Sequence, residues 1–244
     1  MQAPKTRIAL ITGANKGIGF EVARQIGKAG HLVLLGARNA TLGEAAAGAL
    51  RADGVDARFI HIDLGKAATI QAAAAAIDAK HDRLDVLVNN AGIAERLDGP
   101  PSKASIDAVR RVFETNFFGT LAVTQAMLPL LRKSPSARIV NVSSELGSLT
   151  HNGDPAWAFA EYKFLGYSAS KAAVNMLTVQ LAAELKESGI KVNSADPGFT
   201  ATDLNNHRGS QTIPEGAAPA IRLALLPDEG PTGGFFGASR AHPW

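Results

Sequence analysis

Two tyrosine–lysine pairs lie within one short segment of the chain. The stretch 161–171, EYKFLGYSASK, holds both tyrosines of the sequence, with Lys163 directly after Tyr162 and Lys171 four residues after Tyr167. Residues four apart share one face of a helix, so Tyr167 and Lys171 can address one ligand together. Adjacent residues point in different directions, which makes the first pair the poorer candidate for joint chemistry.

The chemistry that such a pair can perform is proton transfer. A free tyrosine has a pKa of about 10, which makes it a poor acid at neutral pH. A nearby ammonium favours the phenolate and lowers that pKa towards the working pH, where general acid catalysis is most efficient. We therefore predict that Lys171 lowers the pKa of Tyr167 and that Tyr167 acts as a general acid. Taken alone, the pair is better explained as a half-buried aromatic beside a solvated cation, because helices often carry such pairs.

A glycine-rich segment near the N-terminus predicts a phosphate-binding loop. In ITGANKGIGFEVA, Gly13, Gly17 and Gly19 lie between a predicted strand and a predicted helix. Glycines there permit a tight turn, a close approach of backbone to a diphosphate, and packing of the helix on the strand. The helix N-terminus adds free N–H groups and a partial positive charge. The alternative is a glycine-rich turn that binds nothing.

The residues after the second predicted strand indicate which nucleotide is bound. An NAD site usually has an acid about twenty residues after the loop, for the ribose hydroxyls. This chain has no acid between Glu21 and Glu44, but has Arg38 after the second strand and Lys16 inside the loop. A guanidinium and an ammonium attract a 2′-phosphate. NADP(H) is therefore the expected cofactor, unless Arg38 is merely a solvated residue.

Seven short motifs, in order, resemble those of one family. They are TGANKGIG (12–19), DL (63–64), NNAG (89–92), NFFG (116–119), VSS (142–144), YSASK (167–171) and DPGFTATD (196–203). Over about residues 7–237 the chain resembles the short-chain dehydrogenases/reductases. TGANKGIG, Arg38 and NNAGI are most similar to the NADPH-dependent carbonyl reductase branch.

The resemblance implies two sets of site residues. Asp63 and Leu64 would contact the adenine, residues 90–92 its ribose, and residues from 197 to 202 the nicotinamide end. The implied cofactor set is Gly13, Asn15, Lys16, Gly17, Ile18, Gly19, Arg38, Asp63, Leu64, Asn90, Ala91, Gly92, Tyr167, Lys171, Pro197, Gly198, Thr200 and Thr202. The implied catalytic set is Asn116, Ser144, Tyr167 and Lys171, with Ser143 as the alternative serine.

The activity implied by the resemblance is NADPH-dependent reduction of a ketone or aldehyde to an alcohol. Tyr167 would donate the proton, Ser144 would bond the carbonyl oxygen, and Lys171 would bond the nicotinamide ribose. Asn116 would hold a water that links the lysine to solvent. One alternative is a regulatory or redox-sensing protein that binds NADP(H) without turnover, although such proteins usually lose the Tyr or the Lys. An epimerase or dehydratase is a further alternative.

An insertion precedes the second tyrosine. Ser144 and Tyr167 are separated by more residues than in many family members, and the additional segment contains Trp157, Phe159, Tyr162 and Phe164. These aromatics are either an apolar wall for the substrate or the core of a short helix. The family oligomerises through the helices that begin near positions 102 and 165. Because the insertion could block that contact, a monomer is expected, with a homodimer or homotetramer as the alternatives.

The elements that must position these residues alternate regularly along the chain. Apolar runs predict strands at 7–12, 32–37, 57–62, 85–90, 138–143, 191–196 and 233–237, and helical patterns lie at 17–29, 41–52, 66–80, 102–132, 165–188 and 214–225. Runs without strict alternation are typical of strands buried on both faces. The pattern predicts an α/β fold: a single Rossmann-type, doubly wound parallel sheet of about seven strands with helices on both faces.

The same pattern locates the substrate. We expect one domain over residues 1–244, with substrate-site loops at about 93–101, 145–165 and 199–213, because ligands bind at the carboxyl ends of parallel strands. In the last loop Phe199, Leu204 and His207 are placed near the substrate. The tail 238–244 has no predicted role.

Composition narrows the remaining function classes. The absence of cysteine excludes disulfides, a thiol nucleophile and any cysteine-based zinc site. A net charge of +3 without a dense basic run predicts no nucleic-acid partner. The six histidines are scattered, so no metal site is predicted. The sequence shows neither a leader peptide nor a membrane span, and we expect a cytoplasmic protein that acts on a small carbonyl or alcohol.

Overall fold

One parallel sheet forms the centre of the molecule. The computed structural model describes residues 6–244, and its seven strands lie in the order β3-β2-β1-β4-β5-β6-β7. The strands are β1 (Ile8–Thr12), β2 (Leu32–Ala37), β3 (Ala57–His61), β4 (Val86–Asn89), β5 (Arg138–Val142), β6 (Lys191–Ala195) and β7 (Phe235–Phe236). All pairs are parallel. The predicted fold class is confirmed.

Helices connect the strands and cover both faces of the sheet. They are α1 (Gly17–Lys28), α2 (Ala40–Ala52), α3 (Ala67–His81), α4 (Ile106–Phe113), α5 (Thr120–Leu131), α6 (Leu149–Gly153), α7 (Leu165–Glu184) and α8 (Ile213–Ala224). Two apolar clusters, one on each face, fill the space between helices and sheet. Within residues 6–244, no helix has both the length and the apolar character that a membrane crossing requires.

The strand order decides where a ligand can bind. β1 lies between β2 and β4: the chain runs outward from β1 through β2 to β3, then crosses back to β4 on the other side of β1 and continues in the opposite direction. In doubly wound sheets the crevice at this reversal, outside the carboxyl ends of the strands, receives the ligand. The glycine loop after β1 and the NNAG segment after β4 both lie there.

The predicted helix at 102–132 is two α-helices joined by a wider turn. α4 begins only at Ile106, where Ser105 accepts a hydrogen bond from the backbone N–H of Ala108. Residues Glu114–Gly119 then form a π-helical segment before α5. Insertions of this kind are frequent at functional sites. Periodicity cannot reveal one, because a single extra residue shifts the apolar pattern only slightly.

A ladder of buried polar side chains crosses the middle of the sheet. The Asn89 amide donates to Thr124 Oγ1 and to Asn141 Oδ1, at 2.9 Å each. Asn141 donates in turn to Thr178 Oγ1 at 2.8 Å, and that hydroxyl is 2.8 Å from Ser194 Oγ. Polar groups withdrawn from water require such partners. The ladder therefore fixes α5 and α7 relative to three neighbouring strands.

The ladder makes Asn141 important for stability. Replacing Asn141 with alanine removes one of the two buried partners of the Asn89 amide and the donor to Thr178 Oγ1, so we expect the free energy of unfolding to fall by about 2–4 kcal/mol. Urea denaturation measures the change. Gln180→Ala removes an amide from an exposed position on α7 and should change the free energy by less than about 0.5 kcal/mol. Equal effects of the two substitutions would contradict the assigned role of the ladder.

Candidate active site

The glycine loop is shaped by close contacts with the segment after β4. Gly13 has a φ of +63°, and a Cβ there would lie 2.9 Å from Ala91 Cα. A Cβ on Gly19 would lie 2.7 Å from the carbonyl oxygen of Gly13. Neither position accommodates a side chain, whereas the space beside Gly17, at the start of α1, is open. Asn15 and Ile18 are half-buried within the same turn.

Thr12 and Asn90 hold this loop in place. The Asn90 amide donates to the carbonyl oxygens of Thr12 and Gly13, at 2.9 and 3.2 Å. The Thr12 hydroxyl accepts from the backbone N–H groups of Asn90 and Ala91, at 3.0 and 3.1 Å. In the structure the Asn90 side chain is thus committed to the loop. Thr12 was not among the predicted site residues.

The charged residues expected near a phosphate differ in their surroundings. Arg38 is exposed just beyond β2, and its guanidinium forms no ion pair with any residue from 6 to 244. Lys16 pairs with Asp203, whose other oxygen lies 2.7 Å from His207 Nε2. Arg38 is therefore the more available cation. Lys16 instead connects the glycine loop to the loop after β6.

The expected adenine contacts lie near the end of β3. Asp63 Oδ1 accepts a hydrogen bond from the backbone N–H of Gly65 at 3.1 Å. Leu64 packs against Gly119, where a Cβ would lie 2.6 Å from Leu64 Cβ. Both side chains are half-buried. They border the same crevice as Arg38.

Lys171 is buried at the centre of the predicted catalytic set. Its side chain lies on α7, the residue is 4% exposed, and Nζ donates to the carbonyl oxygen of Val142 at 2.8 Å. Nζ is 5.6 Å from the centroid of the Tyr167 ring. A Cβ on Gly92 would lie 3.6 Å from this Nζ and 3.4 Å from Asn116 Oδ1. The structure therefore brings β4, β5 and α7 together around one ammonium.

The π-helical segment directs the Asn116 side chain towards the surroundings of Lys171 Nζ. Its amide group accepts from the Ile93 N–H at 2.8 Å and donates to the Ile93 carbonyl at 3.0 Å. It also donates to Ser170 Oγ at 3.1 Å, and Ser170 donates to the Tyr167 carbonyl at 2.7 Å. Asn116 thus connects the loop after β4 to the start of α7.

The structure distinguishes the two serines at the end of β5. The Ser144 side chain interacts with the Tyr167 hydroxyl and acts to lower the pKa of that phenol, whereas Ser143 is buried and donates to the backbone carbonyl of Lys171 at 3.4 Å. Ser144 is therefore the serine that faces Tyr167. The other tyrosine–lysine pair, Tyr162 and Lys163, is exposed.

The expected electrostatic effect on Tyr167 is not present in this structure. Burial, reinforced by the Asp196 carboxylate, raises the pKa of Tyr167 to about 12, against the opposing effect of the Ser144 side chain. Burial also lowers the pKa of Lys171 to about 8. The prediction that Lys171 lowers the pKa of Tyr167 is wrong for this structure, because desolvation outweighs a cation that is directed at a backbone carbonyl.

Two carboxylates that the sequence did not single out position the site. Asp98 accepts from the backbone N–H groups of Gly166 and Tyr167, both at 2.8 Å, and so caps the first turn of α7. Asp196 accepts from the N–H groups of Glu145 and Gly198, at 3.2 and 3.1 Å. Asp98 lies 68 residues from Gly166, and no local pattern reveals a cap so distant.

Beyond Asp196, the segment predicted to bind the nicotinamide end folds back on itself. The Thr200 hydroxyl donates to the Pro197 carbonyl at 2.8 Å. Gly198 has a φ of +66°. Thr202 caps the short turn Asp203–Asn205. The turn at 197–200 lies at the carboxyl end of β6, beside the predicted catalytic set.

A cavity of about 270 Å³ opens between the loops after β5 and β6. Its lining includes Glu145, Phe159, Pro197, Phe199 and the tail residue His242. Two of the three predicted substrate loops thus form the walls, and the tail, for which no role was predicted, closes one side. The sequence predicts Leu204 and His207 near the substrate. In the structure both residues are exposed, Leu204 to 46%.

The aromatic residues of the insertion are part of this wall. Phe159 lies 6.2 Å from Phe199 between ring centroids, and Tyr162 lies within 6.4 Å of both. Trp157 packs edge-on against Phe159 at 5.5 Å. The segment around these aromatics is a series of turns rather than a helix, and the four rings are half-buried or exposed. The short-helix core is therefore not present, whereas Phe159 and Phe199 line the cavity.

The fold and the site together define a class of protein. A doubly wound sheet, a glycine loop at its switch point and a buried lysine beside a tyrosine are typical of a dinucleotide-dependent oxidoreductase. A family model described as short chain dehydrogenase matches residues 7–212. The chain belongs to the short-chain dehydrogenase family, as its motifs predicted.

Known relatives and structures agree with this assignment. The chain is 33% identical to (-)-isopiperitenone reductase of Mentha piperita, over 96% of this chain and 97% of that protein. It is 35% identical to carbonyl reductase [NADPH] 3 of Rattus norvegicus, over 92% of each chain. The structure of NADPH-bound carbonyl reductase from chicken fatty liver superposes with a TM-score of 0.85 at 26% identity, covering 99% of this chain and 100% of that one.

The buried lysine predicts a pH-dependent stability. Because the folded-state pKa of Lys171 is about 8 and an unfolded lysine has a pKa of about 10.4, the unfolded chain binds more protons between these values. The free energy of unfolding of the wild type, minus that of Lys171→Met, should therefore rise by about 2 kcal/mol from pH 8 to pH 10. Below pH 7 this difference should stay constant. Urea denaturation of both proteins across this range measures the difference.

The matched control is Lys163→Met, since Lys163 is exposed on the same segment. Its stability should follow the wild type at every pH. The scan ends at pH 10 because the raised pKa of Tyr167, about 12, makes stability fall again at higher pH. Parallel curves for wild type and Lys171→Met would show that Lys171 is not desolvated.

Proposed function

We propose that the protein is an NADPH-dependent reductase of ketones or aldehydes. The observation that carries this proposal is the convergence of Ser144, Tyr167, Lys171 and Asn116 at the switch point of the sheet, next to a cavity with an apolar wall. The names of the two relatives given above, both reductases, support the reaction type. The cavity volume and its aromatic residues favour a small or medium carbonyl compound.

The residues present fit a dinucleotide phosphate. The open space beside Gly17, at the N-terminus of α1, suits a diphosphate. Arg38 offers an exposed guanidinium without an ion pair among residues 6–244, which suits a 2′-phosphate. Asp63, Asn90 and Pro197 follow the carboxyl ends of β3, β4 and β6, the edge of the sheet at which doubly wound folds bind ligands. When bound, the cofactor supplies the hydride.

The side chains of the protein supply the rest of the reaction. A phenol with a pKa of about 12 keeps its proton at neutral pH, which favours Tyr167 as the donor to the alkoxide oxygen in the direction of reduction. Ser144, which interacts with the Tyr167 hydroxyl, is placed to donate to the carbonyl oxygen as negative charge develops there. Asn116 and Ser170 position Lys171 and the first turn of α7.

The alternative function, binding of NADP(H) without turnover, requires the same loop but not this arrangement. A regulatory protein has no use for a buried lysine beside a tyrosine and a serine, and burying an ammonium costs free energy. The retained set therefore favours an enzyme.

Removal of the Tyr167 hydroxyl tests the proposed reaction. We expect Tyr167→Phe to lower kcat for NADPH-dependent reduction by about 10²- to 10⁴-fold, because the proton donor is lost. The assay follows NADPH oxidation with a panel of aldehydes, diketones and aryl ketones. NADPH affinity, measured separately by fluorescence titration, should change little.

Tyr162→Phe is the control, since it removes the hydroxyl of the other, exposed tyrosine, and it should keep kcat within about threefold. Turnover by Tyr167→Phe at the wild-type rate would refute the assignment. If the wild type binds NADPH tightly but reduces no carbonyl in the panel, the binding module becomes the better description.

Cofactor preference tests Arg38. Loss of charge-assisted hydrogen bonds worth about 1.5–3 kcal/mol should weaken NADPH binding by Arg38→Ala about 10- to 100-fold, while NADH binding stays nearly constant. Arg110→Ala, which removes an exposed guanidinium from α4, controls for net charge. A wild type that prefers NADH would show that Arg38 and Lys16 do not select the phosphate.

The oligomeric state and the cytoplasmic location stay predictions. α4 and α7 expose Ile106 (68%) and Met176 (56%), so this face has apolar surface available for a second copy.

A further inference from the structure

Three potential metal ligands meet where the C-terminal tail packs against the insertion. Glu145 follows β5, His151 lies in α6, and His242 is in the tail. One carboxylate oxygen and one ring nitrogen from each imidazole all lie within 4.8 Å of one another. Tetrahedral Zn²⁺, with bonds of about 2.1 Å, needs ligand atoms about 3.4 Å apart. Side-chain movements of about 1 Å therefore complete the coordination.

The two histidines offer free nitrogens at this point. His151 Nε2 and His242 Nδ1 are buried and have no hydrogen-bond partner among residues 6–244. The His242 side chain is only 5% exposed. Unpartnered nitrogens in such surroundings cost free energy, and each such group in a native structure calls for an explanation. A bound cation would satisfy both at once.

The remaining nitrogen of His242 already has the partner that metal-bound histidines have. His242 Nε2 lies 3.1 Å from Asp196 Oδ2, and both side chains are 5% exposed. Metal-ligating histidines usually donate their second N–H to a carboxylate, which fixes the tautomer and strengthens the ligand. With Nε2 protonated towards Asp196, the lone pair of His242 is on Nδ1.

The local charge also suits a cation. Glu145 and Asp196 bring two carboxylates, and both line the cavity. Arg240, which is exposed, lines the same cavity and brings a positive charge. Before a metal binds, these three charged groups sum to one net negative charge.

We propose that Glu145, His151 and His242 bind one divalent transition-metal ion, with Asp196 orienting His242. Imidazole ligands favour zinc and its neighbours over Mg²⁺ and Ca²⁺, which prefer oxygen. Three protein ligands leave a fourth position open. Glu145 and His242 also line the cavity described above, so the ion would tie the strand end, the insertion and the tail into one wall of it.

Histidine spacing in the sequence could not reveal this site, because the three residues come from separate segments. The tests below measure metal binding rather than turnover, so they stand apart from those of the proposed reduction. Its expected role is to hold the tail against α6, where the tail is already attached by hydrogen bonds from the Thr150 N–H and hydroxyl to the Trp244 carbonyl, at 3.1 and 2.7 Å.

Calorimetric titration of the EDTA-treated full chain with zinc sulfate tests the proposal. We expect one Zn²⁺ per chain and a rise in melting temperature on binding. Co²⁺ should bind at the same site and give the visible absorption of tetrahedral cobalt. Both tryptophans adjoin the site: Trp157 is stacked on His151 at 5.2 Å, and Trp244 on Phe235. Tryptophan fluorescence should therefore respond to Co²⁺.

Substitutions assign the ligands. His151→Gln, His242→Gln and Glu145→Gln should each lower Zn²⁺ affinity at least tenfold and abolish the tetrahedral cobalt spectrum. Asp196→Asn should lower affinity about 10- to 100-fold, as loss of an outer partner does. His81→Gln, which removes a histidine at the end of α3, should keep stoichiometry and affinity. Circular dichroism confirms that each variant is folded.

Two results would overturn the proposal. One is the absence of stoichiometric Zn²⁺ or Co²⁺ binding by the folded wild type. The other is binding of equal affinity in wild type, His151→Gln and His242→Gln, which would place the ion elsewhere on the surface.

Discussion

The burial of one ammonium group organises the active-site half of the molecule. Lys171 is almost inaccessible, and Nζ donates to the carbonyl at the end of β5. Removing an ammonium from water is costly, and the depressed pKa of Lys171 expresses that cost. Close packing must therefore surround it. A Cβ on Gly147 would lie 2.7 Å from the carbonyl carbon of Lys171, so only glycine allows the turn after β5 to pack against α7 at this distance.

Long-range polar contacts give the surrounding elements their fixed positions. Asp98 caps the helix that carries Tyr167, and the π-helical turn lets Asn116 join the loop after β4 to Ser170. The Asn141 ladder connects the same helix to β5. Sites placed on rigid elements with such support keep a reactive geometry more reliably than sites on loops.

The cavity between the loops after β5 and β6 is built differently. Its wall comes from the insertion, the loop after β6 and the tail. These segments contact one another through aromatic side chains rather than through strand pairing: Phe159 packs against Phe199, and Trp157 stacks on His151. Loops can change while the scaffold stays constant. This division explains how relatives about one third identical to this chain share the sheet and yet carry the names of different reductases.

The sequence by itself determined most features that depend on neighbours along the chain, although not the π-helical segment between α4 and α5. Apolar runs defined the strands, the glycine loop defined the switch point, and the four-residue spacing selected Tyr167 and Lys171 over Tyr162 and Lys163. Only the tertiary structure decided that the pKa of Tyr167 shifts upwards, that Asp98 caps α7, and that His242 lies in the wall of the cavity. Desolvation and contacts between distant segments arise only when the chain is packed, so no local pattern records them.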